Sequence, residues 1–248
     1  PNFLWNFDNE TFFSQEYLFK DSFNIFQPVD AYTPKRNPAF YQENYALIIS
    51  ISHDILYSIK HKNQLLVSHG LSPKYTSLLL EPPVPAPSAP LRIGYVGNLD
   101  NAYIDRATVL NVIEHHPENH FLFIGPYNVN SDFAKKLKEM PNVDLVGKKT
   151  PKEVIEYYEN LDVLFLCYKK QPGYNGDNTH KVIEYLATGK PVISNSLSEY
   201  KDTNGLICMS MKDDNSDFME TFTKSLWDVQ ELYTAEKQKM RKDFASTH

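Results

Sequence analysis

The chain has 248 residues, enough for one large or two ordinary domains, and 42% of them are hydrophobic. Its formal net charge of −6 argues against a general nucleic-acid binder, because phosphate affinity comes from clustered lysines and arginines. No apolar run approaches the roughly 20 residues that span a bilayer, and Cys167 and Cys208 lack the spacing of a zinc site. The chain opens on Pro1 and runs directly into apolar residues, a start that suggests a fragment.

Residues 1–80 alternate strand-like and helix-like patterns and are predicted to form a partial α/β domain. The strand candidates are apolar runs at residues 3–7, 24–29, 46–50 and 64–68. Ser52 is placed to cap a helix over residues 53–61. The aromatic-rich start, from Phe3 to Phe26, either packs as core or contacts a membrane surface.

A proline-rich segment, EPPVPAPSAP at residues 81–90, interrupts this alternation. Five of its ten residues are proline, which removes backbone donors and favours an extended conformation. The composition therefore predicts an interdomain linker.

After the linker, short apolar strands alternate regularly with helices. The strand candidates are residues 91–97, 120–125, 143–147, 162–168 and 191–194, and the helices lie near 105–115, 131–140, 151–160 and from 178 onward. This alternation implies right-handed crossovers and a mainly parallel sheet covered on both faces. The predicted fold class is α/β, a doubly wound Rossmann-like parallel sheet over residues 91–215, followed by one long helix within residues 216–248.

The loop after the first of these strands, GYVGNLDN at residues 94–101, resembles a dinucleotide fingerprint but lacks its Gly-x-Gly-x-x-Gly order, which disfavours NAD binding. Gly97 would let the backbone approach a ligand, Asn98 lines the loop, and Arg106 on the next helix is available to an anion. The alternative is a tight strand-to-helix turn capped by Asp or Asn.

The next two loops each begin with a glycine at a strand end, Gly125 and Gly147. Tyr127 is a candidate to stack on a base, and Lys148, with the lysine after it, is either a phosphate partner or part of a solvated turn. Thr150 followed by Pro151 is typical of an N-cap and the first helical position.

The stretch NTHKVIEYLATGKPVIS at residues 178–194 begins with four polar residues. With the N-cap at Asp177 or Asn178, helical periodicity puts His180, Lys181 and Glu184 on one side. A helix N-terminus favours an anion, and a carboxylate accepts hydrogen bonds from vicinal hydroxyls. The set Asn178, Thr179, Lys181 and Glu184 therefore suits a ligand with phosphate and ribose, unless Lys181 and Glu184 simply form an exposed ion pair.

The polar loop QPGYNGDN, residues 171–178, precedes that helix and contains two of the nine glycines of the chain. Its position at a strand end predicts a lid or a sugar-binding segment. Its candidate sugar contacts are Asn175, Gly176 and Asp177.

Four segments, in order, resemble the carboxy-terminal, donor-binding domain of GT-B glycosyltransferases of the group 1 type: LRIGYVGNLD, HFLFIGPY, PNVDLVGKKTPKEVIEYYENLDVLFLCY and NTHKVIEYLATGKPVIS. The similarity is greatest to the branch used in bacterial surface-polysaccharide assembly. NYALIISISHDIL and QLLVSHGLSPKY resemble the end of the acceptor-side, amino-terminal domain of such enzymes.

The resemblance implies that a nucleotide-diphosphate sugar, such as a UDP- or GDP-sugar, binds with Glu184 on the ribose and the helix start on the diphosphate. The loops at Gly97, Gly125 and Gly147 would frame the phosphates and the base. Family members often carry a second Glu eight residues before the ribose Glu, where this chain has Gly176. For this reason the contact to the donor sugar, and whether the reaction retains or inverts, are left open, and the catalytic groups of the acceptor side are left unnamed.

The predicted function is transfer of a sugar from a nucleotide-diphosphate sugar to a carbohydrate or lipid-linked acceptor in surface-polysaccharide synthesis, in the cytoplasm or at the inner face of the membrane. We expect no cofactor, no metal site and no nucleic-acid partner. Two alternatives stay open. A nucleotide-sugar epimerase of GT-B architecture would convert donor without acceptor, and a non-catalytic homologue would bind nucleotide sugar without turnover.

Overall fold

The structure is a computed structural model, and it describes residues 2–8, 21–28, 32, 34–170, 179–201, 203 and 205–248. The described residues form two units, the first from residues 2–69 and 198–200 and the second from 70–170, 179–197 and 201–248. The predicted sugar contacts Asn175, Gly176 and Asp177, and Asn178 at the predicted helix start, lie outside the described residues. The domain bounds of the sequence analysis stay predictions.

The first unit contains a parallel sheet of four strands in the order β1-β2-β3-β4. Its elements are β1 (Asn2–Asn6), β2 (Ser22–Phe26), α1 (Pro38–Asn44), β3 (Leu47–Ser50), α2 (His53–Ile59) and β4 (Gln64–Leu66). Aromatic and aliphatic side chains such as Phe26, Tyr41 and Ile48 form its core. All four strands therefore fall within a few residues of their predicted positions.

The N-terminus of α2 differs from its predicted capping. Ser52 is the N-cap residue, but its side chain makes no capping hydrogen bond. Its hydroxyl instead donates to the carboxylate of Glu199, which also accepts the backbone N–H of His53, both at 2.8 Å. A charged acceptor thus takes the place that the serine hydroxyl was predicted to fill.

The second unit contains a parallel sheet of six strands in the order β10-β9-β8-β5-β6-β7. The strands are β5 (Arg92–Val96), β6 (His120–Ile124), β7 (Val143–Gly147), β8 (Val163–Leu166), β9 (Val192–Ser194) and β10 (Ile207–Met209). The chain builds outward from β5 through β6 to β7, then returns to the other side of β5 with β8. The predicted doubly wound parallel sheet is confirmed, and its strand order reverses between β5 and β8.

The helices of this unit are α3 (Ser77–Leu80), α4 (Arg106–His115), α5 (Asp132–Glu139), α6 (Pro151–Glu159), α7 (His180–Ala187), α8 (Phe218–Trp227), α9 (Val229–Leu232) and α10 (Ala235–Ser246). Thr150 caps α6 in a capping box with Glu153, and Pro151 occupies the first turn, as predicted. Val182, Ile183 and Leu186 of α7 are fully buried, which confirms its predicted apolar side.

The prediction of one long terminal helix is wrong. The segment forms α8, α9 and α10, and the hydroxyl of Thr234 accepts the N–H of Lys237 to start α10 afresh. The periodicity of the sequence continues across these breaks because the helices bury apolar residues on the same unit. Local capping, which periodicity does not report, ends one helix and begins the next.

Helix α10 carries buried polar side chains that bond the backbone of residues 78–84. Lys242 donates to the carbonyls of Leu78 and Glu81, and Gln238 donates to the carbonyl of Val84. The start of the proline-rich segment is therefore attached to the second unit by hydrogen bonds. Among the helices of the described residues, none combines the length and the apolar character needed to cross a bilayer.

Candidate functional site

The candidate site lies where the strand order of the six-stranded sheet reverses. β5 and β8 are parallel neighbours there, with Ile93 opposite Val163 and Gly94 opposite Leu164. In open α/β sheets, ligands bind beyond the carboxyl ends of the strands at such a point. Gly97 follows β5 directly, and Tyr168 comes two residues after β8. The residues that follow these two strands are thus brought to one edge of the sheet.

Lys181, in the first turn of α7, reaches this edge. Its ammonium donates to the Tyr168 hydroxyl at 2.9 Å and lies 5.4 Å from the centre of the Tyr95 ring and 5.6 Å from that of Tyr168. A Cβ at Gly97 would come within 2.5 Å of the Lys181 nitrogen. The structure therefore brings together Gly97 and Lys181, two residues that the sequence analysis assigned to a diphosphate.

The glycines that end β5 and β6 allow two backbones to pass very close together. Gly125 has φ of 150°, and a Cβ there would collide with the carbonyl oxygen of Gly97. Gly97 donates its N–H to Ile124 at 2.8 Å, and Gly125 donates to Gly147 at 2.9 Å. The three predicted glycine loops are consequently neighbours, and a side chain in place of Gly125 would push them apart.

Glu184 lies one turn after Lys181, and its side chain is only 14% exposed. Burial raises the pKa of this carboxyl to about 7, although the Lys181 ammonium and the nearby Tyr158 hydroxyl act in the opposite direction. The Tyr158 hydroxyl is buried and has no hydrogen-bond partner of normal geometry among the described residues. Because Glu184 is largely buried, and its carboxylate lies 3.9 Å from the His180 ring nitrogen, the alternative of an exposed Lys181–Glu184 pair does not describe this helix.

The N-terminus of α7 lies further along the chain than predicted. The helix begins at His180, and the N-cap is Thr179, in an extended conformation with no capping hydrogen bond from its side chain. The predicted N-caps, Asp177 and Asn178, were therefore one or two residues too early. The dipole of α7 still directs its positive end toward Lys181 and its surroundings.

Two residues predicted for the diphosphate have other contacts. Asn98 is exposed, and its side chain accepts the N–H of Asp100 at 2.9 Å, so it forms the capped turn of the alternative interpretation. The Arg106 guanidinium lies 5.5 Å from the centre of the Phe133 ring on α5, and its Nε is buried without a hydrogen-bond partner among the described residues. The contacts of the described residues thus do not join either side chain to Lys181.

The loops after β6 and β7 carry the remaining candidates. Tyr127 is half-buried, with the Lys138 ammonium 5.6 Å from its ring centre. Lys148 is exposed, while Lys149 forms an ion pair with Glu153 at 3.5 Å. The two lysines fit the interpretation as a solvated turn, and the role of Tyr127 stays a prediction.

The sequence analysis missed the tyrosines that surround Lys181. Tyr95 lies in β5, Tyr168 follows β8, and Tyr185 on α7 accepts the N–H of Val96 at 2.8 Å. A signal was present for the first two, because tyrosine lies in the mainly apolar runs RIGYV and LFLCY. Buried tyrosine hydroxyls require partners, so such positions mark polar contacts inside a core.

Metal ligands do not cluster in the part of the chain that the structure describes. No group of three or more His, Cys, Asp or Glu side chains lies there in an arrangement that would hold an ion. The expectation that the protein has no cofactor remains untested.

Comparisons with known proteins agree with this architecture. The family described as "Glycosyl transferases group 1" matches residues 90–228. The putative teichuronic acid biosynthesis glycosyltransferase TuaH of Bacillus subtilis (strain 168) is 32% identical over 106 residues, which make up 42% of this chain and 26% of that protein. The match thus spans about a quarter of this curated relative.

Two solved structures share the fold. The Anabaena Alr3699/HepE structure in complex with UDP has a TM-score of 0.67 at 11% identity, and the match covers 91% of this chain and 68% of that one. A glycosyltransferase from Rickettsia africae ESF-5 has a TM-score of 0.67 at 13% identity, with coverage of 90% and 64%. Since the family match includes more than half of the chain, from β5 to α8, this chain belongs to the group 1 glycosyltransferases.

Proposed function

We propose that the protein transfers a sugar from a nucleotide-diphosphate sugar to a carbohydrate or lipid-linked acceptor in surface-polysaccharide synthesis, and that its second unit binds the donor. Family membership supports glycosyl transfer. The name of the teichuronic acid relative supports a role in surface polysaccharides, and the UDP complex of the Anabaena protein supports a nucleotide donor. The location at the inner face of the membrane stays a prediction.

The observation that carries the proposal is the environment of Lys181. The ammonium lies over the Gly97 backbone at the strand-order reversal, and it forms no ion pair with a carboxylate of the described residues. A half-buried cation without a counter-ion is favourable where a ligand supplies the negative charge. Placing it beside a helix N-terminus adds a second attraction for a diphosphate.

Glu184 is suited to the ribose of the same ligand. Glu184 lies one helical turn from Lys181, so it is close to the proposed phosphate site. When ionised, it has only acceptor positions, which match two hydroxyl donors. Because its pKa is about 7, the ionised form is available at neutral pH.

In the proposed reaction, the bond between the sugar and the outer phosphate oxygen breaks, and negative charge grows on the departing diphosphate. Lys181 and the α7 dipole are already in place to stabilise this charge, so little reorganisation is needed at that moment. Gly97 contributes by leaving room for the Lys181 ammonium next to the backbone. The acceptor hydroxyl and the group that takes its proton are outside this proposal.

The test is calorimetric titration of the protein with UDP and with GDP. We expect binding of at least one nucleotide, and at least a tenfold weaker affinity in Lys181→Ala and in Glu184→Ala, since each variant loses a charged contact. Lys135→Ala is the matched control, because Lys135 is an exposed lysine that forms a 3.9 Å ion pair with Asp132 on α5. Its affinity should equal that of the unchanged protein.

Absence of binding to both nucleotides would overturn the proposal. If all three variants bind the nucleotide with the affinity of the unchanged protein, Lys181 and Glu184 do not belong to the binding site. Product analysis with donor alone is the second measurement, because release of free sugar or of isomerised donor would favour the epimerase alternative over transfer.

A further inference from the structure

We propose that Tyr168 is a positioning residue, whose hydroxyl holds the Lys181 ammonium at the place where the donor diphosphate binds. The inference rests on the proposed function and names a residue that acts through Lys181, without itself serving as a catalytic group. It follows from the contacts of one side chain, from the way its backbone is fixed, and from the chemistry of its hydroxyl.

The contact between Tyr168 and Lys181 is direct and has a defined geometry. The ammonium donates to the Tyr168 hydroxyl at 2.9 Å, and the Tyr95 and Tyr168 hydroxyls are 3.5 Å apart. A lysine side chain has four rotatable bonds and loses considerable entropy when it is held. A fixed acceptor together with two ring faces restricts this freedom before the ligand arrives.

The backbone of Tyr168 is itself fixed by buried side chains. Its N–H is accepted by the Asn195 side chain at 2.9 Å, and its carbonyl accepts the Asn215 amide at 2.9 Å. Both asparagines are buried, and Ile104 forms an antiparallel bridge with Tyr168. The position of the Tyr168 hydroxyl is therefore determined by the folded unit and does not depend on a loose loop.

Asn215 has two features that help to fix the backbone of Tyr168. It has a left-handed backbone with φ of 60°, a conformation that asparagine tolerates better than most residues. Its amide also donates to the Asp105 carboxylate at 2.9 Å, which joins the start of α4 to the end of β8. One residue thus ties Tyr168 to the loop that begins after Gly97.

The chemical nature of the hydroxyl explains why tyrosine suits this position. A carboxylate would hold Lys181 equally well, but it would cancel the positive charge that a diphosphate needs. A neutral hydroxyl orients the ammonium and leaves its charge for the ligand. Burial raises the pKa of the neighbouring Tyr95 phenol well above its usual value.

The test compares UDP with uridine, which lacks the phosphates, by calorimetry. We expect Tyr168→Phe to weaken UDP binding by about 2- to 10-fold, the usual range for one lost hydrogen bond, and to leave uridine binding unchanged. In a Lys181→Ala background, the same Tyr168→Phe change should have no further effect, because the group that it positions is gone.

Tyr233→Phe is the control for loss of a buried hydroxyl contact. The Tyr233 hydroxyl donates to the Asp162 carbonyl at 2.6 Å, next to the amino end of β8 and away from Lys181. The control variant should have a lower melting temperature and an unchanged ratio of UDP to uridine affinity.

Four results separate the hypotheses. UDP binding that Tyr168→Phe leaves unchanged, or equal losses for UDP and uridine, would overturn the inference and leave the proposed function in place. Independent, additive effects of Tyr168→Phe and Lys181→Ala would also overturn it. If the unchanged protein binds neither UDP nor GDP, the proposed function fails, and the inference fails with it.

Discussion

Two lysines at opposite ends of the α7 region show how differently the same side chain can be used. Lys190 is 8% exposed, and its ammonium donates to the carbonyls of Tyr158, Glu159 and Leu161. Lys181 is half-buried, and among the described residues its ammonium donates to one neutral hydroxyl and lies against two rings. Lys190 has all three donors engaged by the protein, whereas Lys181 retains capacity for a ligand.

The difference follows from what each lysine meets in the fold. Lys190 lies at the carboxyl end of α6, where the last carbonyls of a helix have no partners in the helix and attract a cation. Burial lowers its pKa to about 8, so it is still mainly charged at neutral pH. Lys181 lies in the first turn of α7, where the helix dipole is unfavourable for a cation, and its ammonium contacts one hydroxyl and two aromatic rings.

The largest difference that we expect between substitutions of the two lysines is a loss of stability in Lys190→Met. Three backbone carbonyls would lose their donor in a buried place, and the free energy of unfolding should fall by about 3 kcal/mol or more. Chemical denaturation measures this change. UDP affinity should be unchanged in the folded variant, and a variant that loses affinity but keeps its stability would contradict the assignment of the two lysines.

The next effect concerns the pH dependence of stability that arises from Glu184, which lies on α7 between Lys181 and Lys190 in the sequence. Its folded-state pKa, about 7, is raised above the ordinary value of 4.5, so its contribution to stability is fully present below pH 4.5 and is lost as pH rises toward 7. Glu184→Gln should remove this loss and make the protein more stable than the unchanged chain at pH 8, by about 1 to 3 kcal/mol. Denaturation at pH 5 and pH 8 measures the difference.

Ligand binding should respond to the same group in the opposite direction. Ribose hydroxyls donate to an ionised carboxylate, so UDP affinity should rise as pH increases from 6 to 8. The Glu184→Gln variant should lack this rise. A pH profile shared by both proteins would show that Glu184 does not accept hydrogen bonds from the ligand.

The smallest expected effect is on salt dependence. UDP affinity should weaken a few-fold between low and physiological ionic strength, because a half-exposed charge pair is partly screened. Lys181→Ala should flatten this dependence, and Lys190→Met should leave it as in the unchanged protein. Titrations at two salt concentrations distinguish the two lysines without reference to stability.

Much of the second unit could be predicted because its signals are local. The strands at residues 91–97 and 120–125 are short apolar runs followed by glycine, and the cap at Thr150 is a pattern of four residues. The terminal segment was predicted poorly, because its apolar residues keep a helical spacing across the points where one helix ends and the next begins. The N-cap residues there, Asp228 and Thr234, were not recognised from the sequence. Periodic patterns thus predict that a helix or a strand is present, but they do not predict where a helix breaks.

The sequence by itself determined that polar residues follow the strands of a parallel sheet, and that Lys181 and Glu184 share one side of a helix. These properties depend only on periodicity and on the common direction of the strands. Only the tertiary structure decided that β8 lies beside β5, which brings Tyr168 and Gly97 to the same lysine. The tertiary structure also decided that Glu184 is buried and that all three donors of the Lys190 ammonium are hydrogen-bonded. Both properties depend on atoms that are distant along the chain and meet only when the sheet and its helices have packed.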